Sequence, residues 1–115
     1  NYDSLNILMT YGENVFMFTG DYVADDMAIR HVDLLETVDV LSFPHHGLRP
    51  FVITSVVLSK MPASVVLVPA NAAVEVRSYC RNAGLKASVY GSGQFGTVIV
   101  ESNGVALNVV TERQK

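Results

Sequence analysis

The chain is poor in cysteine and in charge, and it has no long apolar run. One Cys in 115 residues cannot close an intrachain disulfide, so this is not a disulfide-stapled secreted scaffold. The same count excludes every zinc motif built on Cys pairs. Only 17% of residues are charged and the net charge is −3. Lys and Arg form no cluster, which argues against a broad electrostatic DNA-binding face. No apolar run approaches the roughly 20 residues of a membrane-spanning helix, and no signal-peptide pattern is present. What the chain does have is apolar content, at 50%. That much apolar surface excludes intrinsic disorder, and the length suits one domain over residues 1–115. The chain opens at Asn1 and runs at once into an apolar strand. It therefore reads as a piece of a longer polypeptide.

Periodicity gives an alternating order of strands and helices. Leu5–Thr10 and Val15–Phe18 flank the turn residues Tyr11-Gly12-Glu13-Asn14 and read as a hairpin. Val23–Leu35 follows helical spacing, with Asp25 and Asp26 in a first turn whose dipole favours negative charge. Val38–Phe43 is a strand stopped by Pro44. Pro50–Met61 reads as a second helix, with Pro50 in its first turn. Phe51, Ile53, Val56, Val57 and Leu58 make that helix apolar on several sides. Ser64–Val68 is a strand, and Ala73–Ala83 is a third helix that stops at Gly84. Ala87–Tyr90, Gly96–Glu101 and Val105–Val110 are the last strands, with a hairpin turn at Ser102-Asn103-Gly104. The order β-β-α-β-α-β-α-β-β-β argues for an α/β layered fold. No linker, repeat or low-complexity stretch interrupts it.

Two places carry candidate chemistry. Asp21 and the pair His45-His46 each follow a strand that is almost wholly apolar, at the C-terminal ends where α/β sheets form their sites. A carboxylate and an imidazole on neighbouring strand ends are natural ligands for zinc, manganese or iron. Each has a plainer reading. An Asp after a Gly also serves as a turn residue or as the N-cap of the helix from Val23. Adjacent His residues also occur simply as polar groups of a loop.

The order of motifs adds a resemblance. Asn1-x-x-Ser4-Leu5, a hairpin, Phe18-Thr19-Gly20-Asp21, a helix, Asp39-Val40-Leu41 and Pro44-His45-His46-Gly47 follow one another. This succession resembles the second half of the metallo-β-lactamase fold, most closely the hydrolase domain of the ComEC-type DNA-internalisation competence proteins. The resemblance covers nearly the whole chain, including Val65–Tyr90 and the closing hairpin from Gly96-Thr97-Val98. It implies half of a four-layer αββα sandwich, with helices packed on a mixed sheet. It also implies a two-metal phosphoester hydrolase using zinc or manganese, a class that includes nucleases linked to DNA uptake. Asp21 would bridge the metals, His45 would ligate the second, and His46 would stand beside them, touching phosphate or solvent. A bridging ligand must be anionic, and a metal pair activates water and clamps a phosphate. The parent of such a domain would be anchored in a membrane, while this piece reads as soluble.

The chain also departs from that family. The main ligand motif, His-x-His-x-Asp-His, is absent, as is the middle His between it and Thr-Gly-Asp. His31 falls in a predicted helix and reads as a surface or boundary residue. Leu48 stands where the family has Ser, and Ala70-Asn71-Ala72-Ala73 replaces a His-containing loop. A catalytic zinc takes about three protein ligands and a water. Asp21 and His45 supply two, with His46 as a conceivable third, so the chain alone is expected to be inactive. Upstream residues carrying the first half of the fold, or a second chain, would complete it. The alternative is a non-catalytic assembly or interaction module. Half a fold leaves apolar surface to bury, so an isolated chain is expected to form a homo-oligomer.

Weaker signals read as structure. Gly91-Ser92-Gly93-Gln94-Phe95-Gly96 matches a dinucleotide fingerprint in letters, but a strand rather than a helix follows it. It is expected to be a loop. Cys80 reads as a small buried residue. Ser42 and Ser55 lack the context of a nucleophile elbow.

Overall fold

The computed structural model describes residues 5–47, 51–69 and 73–113, with only the backbone of His46. Seven strands form two sheets. β1 (Ile7–Tyr11), β2 (Asn14–Phe18), β3 (Val40–Ser42), β4 (Val65–Val68) and β5 (Ser88–Gly91) lie in that order in the larger sheet. β1 runs antiparallel to β2, while β2 to β5 are parallel. β6 (Val98–Ser102) and β7 (Leu107–Thr111) form a separate antiparallel pair. The protein is α/β with a mixed sheet, as the alternating order implies.

The parallel strands are short and apolar because both faces are covered. One face carries Val15, Met17, Leu41, Phe43, Val66, Val68 and Val89, packed against the helical connections. Those connections are α1 (Met27–Arg30), α2 (Val32–Leu35), α3 (Ser55–Ser59) and α4 (Ala73–Asn82). They contribute Ala28, Leu35, Val57, Leu58, Val76 and Cys80 to the same core. On the other face Phe16, Val40 and Val65 meet Val100, Leu107 and Val109 of the β6–β7 hairpin. The result is three layers: helices, the larger sheet, and a two-stranded sheet.

Three sequence expectations need correction. The helix expected over Val23–Leu35 is two short helices broken at His31, whose φ of −132° and ψ of 31° leave the helical region. His31 is exposed and caps both. The helix expected over Pro50–Met61 is only Ser55–Ser59, started by Thr54, whose hydroxyl accepts from the Val57 N–H. Side-chain capping there favours extended backbone at Thr54 over an earlier start. Pro50 lies outside the described residues. The segment 91–96 is not an open loop: α5 (Ser92–Phe95) forms one helical turn inside it before β6 begins. Among the described residues no helix is long and apolar enough to cross a membrane.

The small sheet is fixed by its turn. The Glu13 N–H donates to the Gly104 carbonyl. Asn14, a buried polar residue, donates to the Val105 carbonyl at 3.2 Å and accepts from the Ser102 hydroxyl at 2.6 Å. Gly12 has φ +59°, and a Cβ there would stand 2.5 Å from the Gly104 Cα. The two hairpin turns can therefore interlock only because Gly12 carries no side chain at the crossing.

Candidate functional site

Two strand ends meet at one rim of the larger sheet. Phe18 pairs with Ser42 in parallel register, so the chain leaves β2 and β3 side by side. After β2 come Thr19, Gly20 and Asp21; after β3, Pro44–Gly47 make a 3-10 turn. The Thr19 hydroxyl donates to the Ser42 carbonyl. The His45 N–H donates to the Gly20 carbonyl at 3.0 Å. The structure thus brings Asp21 and His45 to one place, at the C-terminal rim where α/β sheets gather ligand-binding groups.

His45 is held there under strain. Its φ of 56° lies in the left-handed region, and no other non-glycine among the described residues does this. That conformation costs an L-residue about 1–2 kcal/mol. Its ring is half-buried, and Nδ1 is buried with no hydrogen-bond partner. Leaving a buried polar atom unpaired costs about 1–3 kcal/mol more. Backbone strain and an unpartnered buried nitrogen thus coincide on one residue. Asp21 is exposed. It is not a helix N-cap, because α1 begins only at Met27 and its cap is Asp26. His46 continues the turn with its backbone. The His46 side chain, Leu48 and the stretch 70–72 lie outside the described residues.

An aromatic cluster supports the turn from below. Phe43, 1% exposed, packs edge-on against Phe51 and Tyr79, with ring centroids 5.7 and 6.5 Å away. The Tyr79 hydroxyl donates to the Ile53 carbonyl at 2.8 Å. Burial pushes the Tyr79 phenol up, so it remains a donor at neutral pH. The Val23 N–H donates to the Val52 carbonyl at 3.2 Å. This bond ties the chain after Asp21 to the chain after His45. Sequence reading passed over Tyr79, since nothing in helical spacing shows which loop an aromatic tip will reach.

A cavity of about 240 Å³ opens at the same rim on the hairpin side. Ser42, Leu67, Pro69, Tyr90, Ser92 and Thr97 line it. Its walls are apolar with a few hydroxyls and no charged side chain. The sequence held a hint of this cavity in segment 91–96, whose helical turn supplies Ser92.

The donor set is short. Among the described residues no three His, Cys, Asp or Glu side chains converge on one point. Asp21 and His45 are two side chains of ligand type whose backbones meet at this rim. A catalytic zinc takes three protein ligands, so these residues do not hold one unaided. No protein-family model, curated protein or solved structure matches the chain.

Proposed function

We propose that the chain is the C-terminal part of a metal-dependent phosphoester hydrolase, with Asp21 and His45 as two ligands of its zinc or manganese centre. His46 would stand beside that centre. The observation that carries this reading is His45: a left-handed imidazole with a buried, unpaired Nδ1, tied by its own N–H to the carbonyl before Asp21. The layers support it as well. Helices, a mixed sheet and a smaller second sheet make three of the four layers of an αββα sandwich. The missing ligands would come from the first half of that fold or from a second chain. Once bound, a metal pair supplies an activated water and charge stabilisation at a phosphoester; DNA is one substrate of that class. This chain's contribution is to hold a carboxylate and an imidazole at one rim.

The test is titration of Zn²⁺ or Mn²⁺ into the longer polypeptide that supplies the missing ligands, with Asp21→Ala and His45→Ala alongside. Binding that weakens at least tenfold in both variants is the expected result. Equal binding in all three proteins, or none in any, would remove the metal reading. The second reading, a non-catalytic assembly module, is favoured by the apolar sheet surface left uncovered around β1.

A further inference from the structure

We infer that the chain forms a two-fold symmetric dimer in which the edge strand β1 of each copy pairs, in parallel, with β6 of the other. The inference deepens the assembly reading above and is independent of the metal reading.

Two free edges carry it. β1 is the outer strand of the larger sheet and β6 an outer strand of the smaller one. The register pairs Ile7 with Phe18 and Met9 with Phe16, and Phe16 in turn with Val40. Ile7, Met9, Tyr11, Phe16 and Phe18 therefore share the face on which the hairpin packs. The hairpin covers that face over β3 to β5 and stops short of β1. Ile7, Met9, Tyr11 and Phe18 remain 49%, 47%, 56% and 42% exposed. An apolar hollow of about 360 Å³ runs between Met9, Tyr11 and Phe18 and the β6 residues Val100 and Ser102. No charged residue occurs from Leu5 to Gly12. Natural edge strands are normally blunted by Lys, Pro or a bulge, and β1 has none of these.

The backbone register of the two edges matches. The Glu112 N–H donates to the Thr97 carbonyl, and the Asn103 N–H to the Ala106 carbonyl. Antiparallel alternation then turns Ile99 and Glu101 toward β7 and leaves the N–H and C=O groups of Val98, Val100 and Ser102 on the outer edge. In β1 the two-residue turn makes Tyr11 and Asn14 a hydrogen-bonded pair, so Leu8 and Thr10 present their groups outward. A parallel ladder needs this arrangement: the Val100 N–H meets the Leu8 carbonyl and the Val100 carbonyl meets the Thr10 N–H. Met9 then lies beside Val100, both on the inner face.

Symmetry closes the assembly. β6 runs from the rim near Tyr90 toward Asn14, the same direction as β1. A two-fold axis parallel to the strands, between the sheets, preserves that direction and exchanges the layers. Each layer becomes β5-β4-β3-β2-β1 of one copy followed by β6-β7 of the other. Two seven-stranded sheets pack face to face with helices outside, and β1 and β6 are no longer edges. The four exposed side chains add apolar area to the strand pairing, toward the about 800 Å² per partner of a standard interface. The axis also places both copies' Asp21 and His45 on one rim.

Sedimentation of the full chain should give twice the 12.5 kDa of the monomer. Thr10→Pro removes an outward N–H and fixes φ there, and Met9→Lys places a charge in the buried layer. Each should raise the dimer dissociation constant at least tenfold, with circular dichroism unchanged. Register is read by mixing Met9→Cys protein with Val100→Cys protein, both in a Cys80→Ala background. A disulfide between the two is expected on mild oxidation. A monomer at micromolar concentration would overturn the proposal, with the sheet face then left to some other segment. So would a dimer indifferent to Thr10→Pro and unable to form the mixed disulfide.

Discussion

Replacing His45 by Gly should make the protein more stable. Three terms decide the sign. Glycine removes the left-handed penalty, about 1–2 kcal/mol for an L-residue. It removes the imidazole whose Nδ1 is buried without a partner, a group that costs about 1–3 kcal/mol when left unpaired. Against these, glycine adds freedom to the unfolded chain, about 0.5–1 kcal/mol, and it forfeits the packing of a half-buried ring. The bond from the residue 45 N–H to the Gly20 carbonyl belongs to the backbone and survives. The balance is a gain on the order of 1 kcal/mol. His45→Ala separates the terms, because it deletes the ring and retains the strain, so it should fall below His45→Gly by about 1 kcal/mol. Urea denaturation of the three proteins, at one protein concentration, measures both differences. A His45→Gly protein less stable than the parent would refute the argument. The ring would then be paying its way in packing, and the case that His45 is kept for chemistry would lose its support.

Two other outcomes follow from the same coordinates. Gly12→Ala should cost about 2–4 kcal/mol, combining left-handed strain with the loss of two or three hydrogen bonds between the interlocked turns. Gly84→Ala, at φ +87° with nothing within 4 Å, should cost only the strain, about 1 kcal/mol; equal losses in urea would show that the turns do not lock. Burial pushes the Cys80 thiol from its ordinary 9.0 up to about 11. Its folded pKa lies above its unfolded one, so its contribution to stability is complete below pH 9 and is lost as pH rises through about 11. Slow labelling of the native thiol at pH 8, and fast labelling in denaturant, would check the burial.

Much of the site could be read along the chain, because its signals are local. Asp21 after Gly20 and His45 after Pro44 stand out as polar residues that end apolar strands, and the structure brings both to one rim. The element order was legible for the same reason: VVLV at β4 and the spacing through α4 need no distant partner to be recognised. Helix extents were harder. Val23–Leu35 has helical spacing throughout, yet its path over the sheet breaks it at His31, and spacing does not record that path. The helix from Pro50 was read too long because Thr54, which caps the real start, differs little in sequence from any other threonine.

Sequence alone determined that the chain is apolar, that strands and helices alternate, and where the candidate residues Asp21 and His45 fall. These follow from residue type and short-range geometry, which every segment carries with it. Only the tertiary structure decided that His45 sits in a left-handed turn bonded to Gly20, that Gly12 must lack a side chain to admit Gly104, and that the hairpin leaves β1 bare. Each of these depends on the meeting of segments far apart in the chain. That meeting is set by packing two faces of one sheet, and no local pattern encodes where the covering layer will stop.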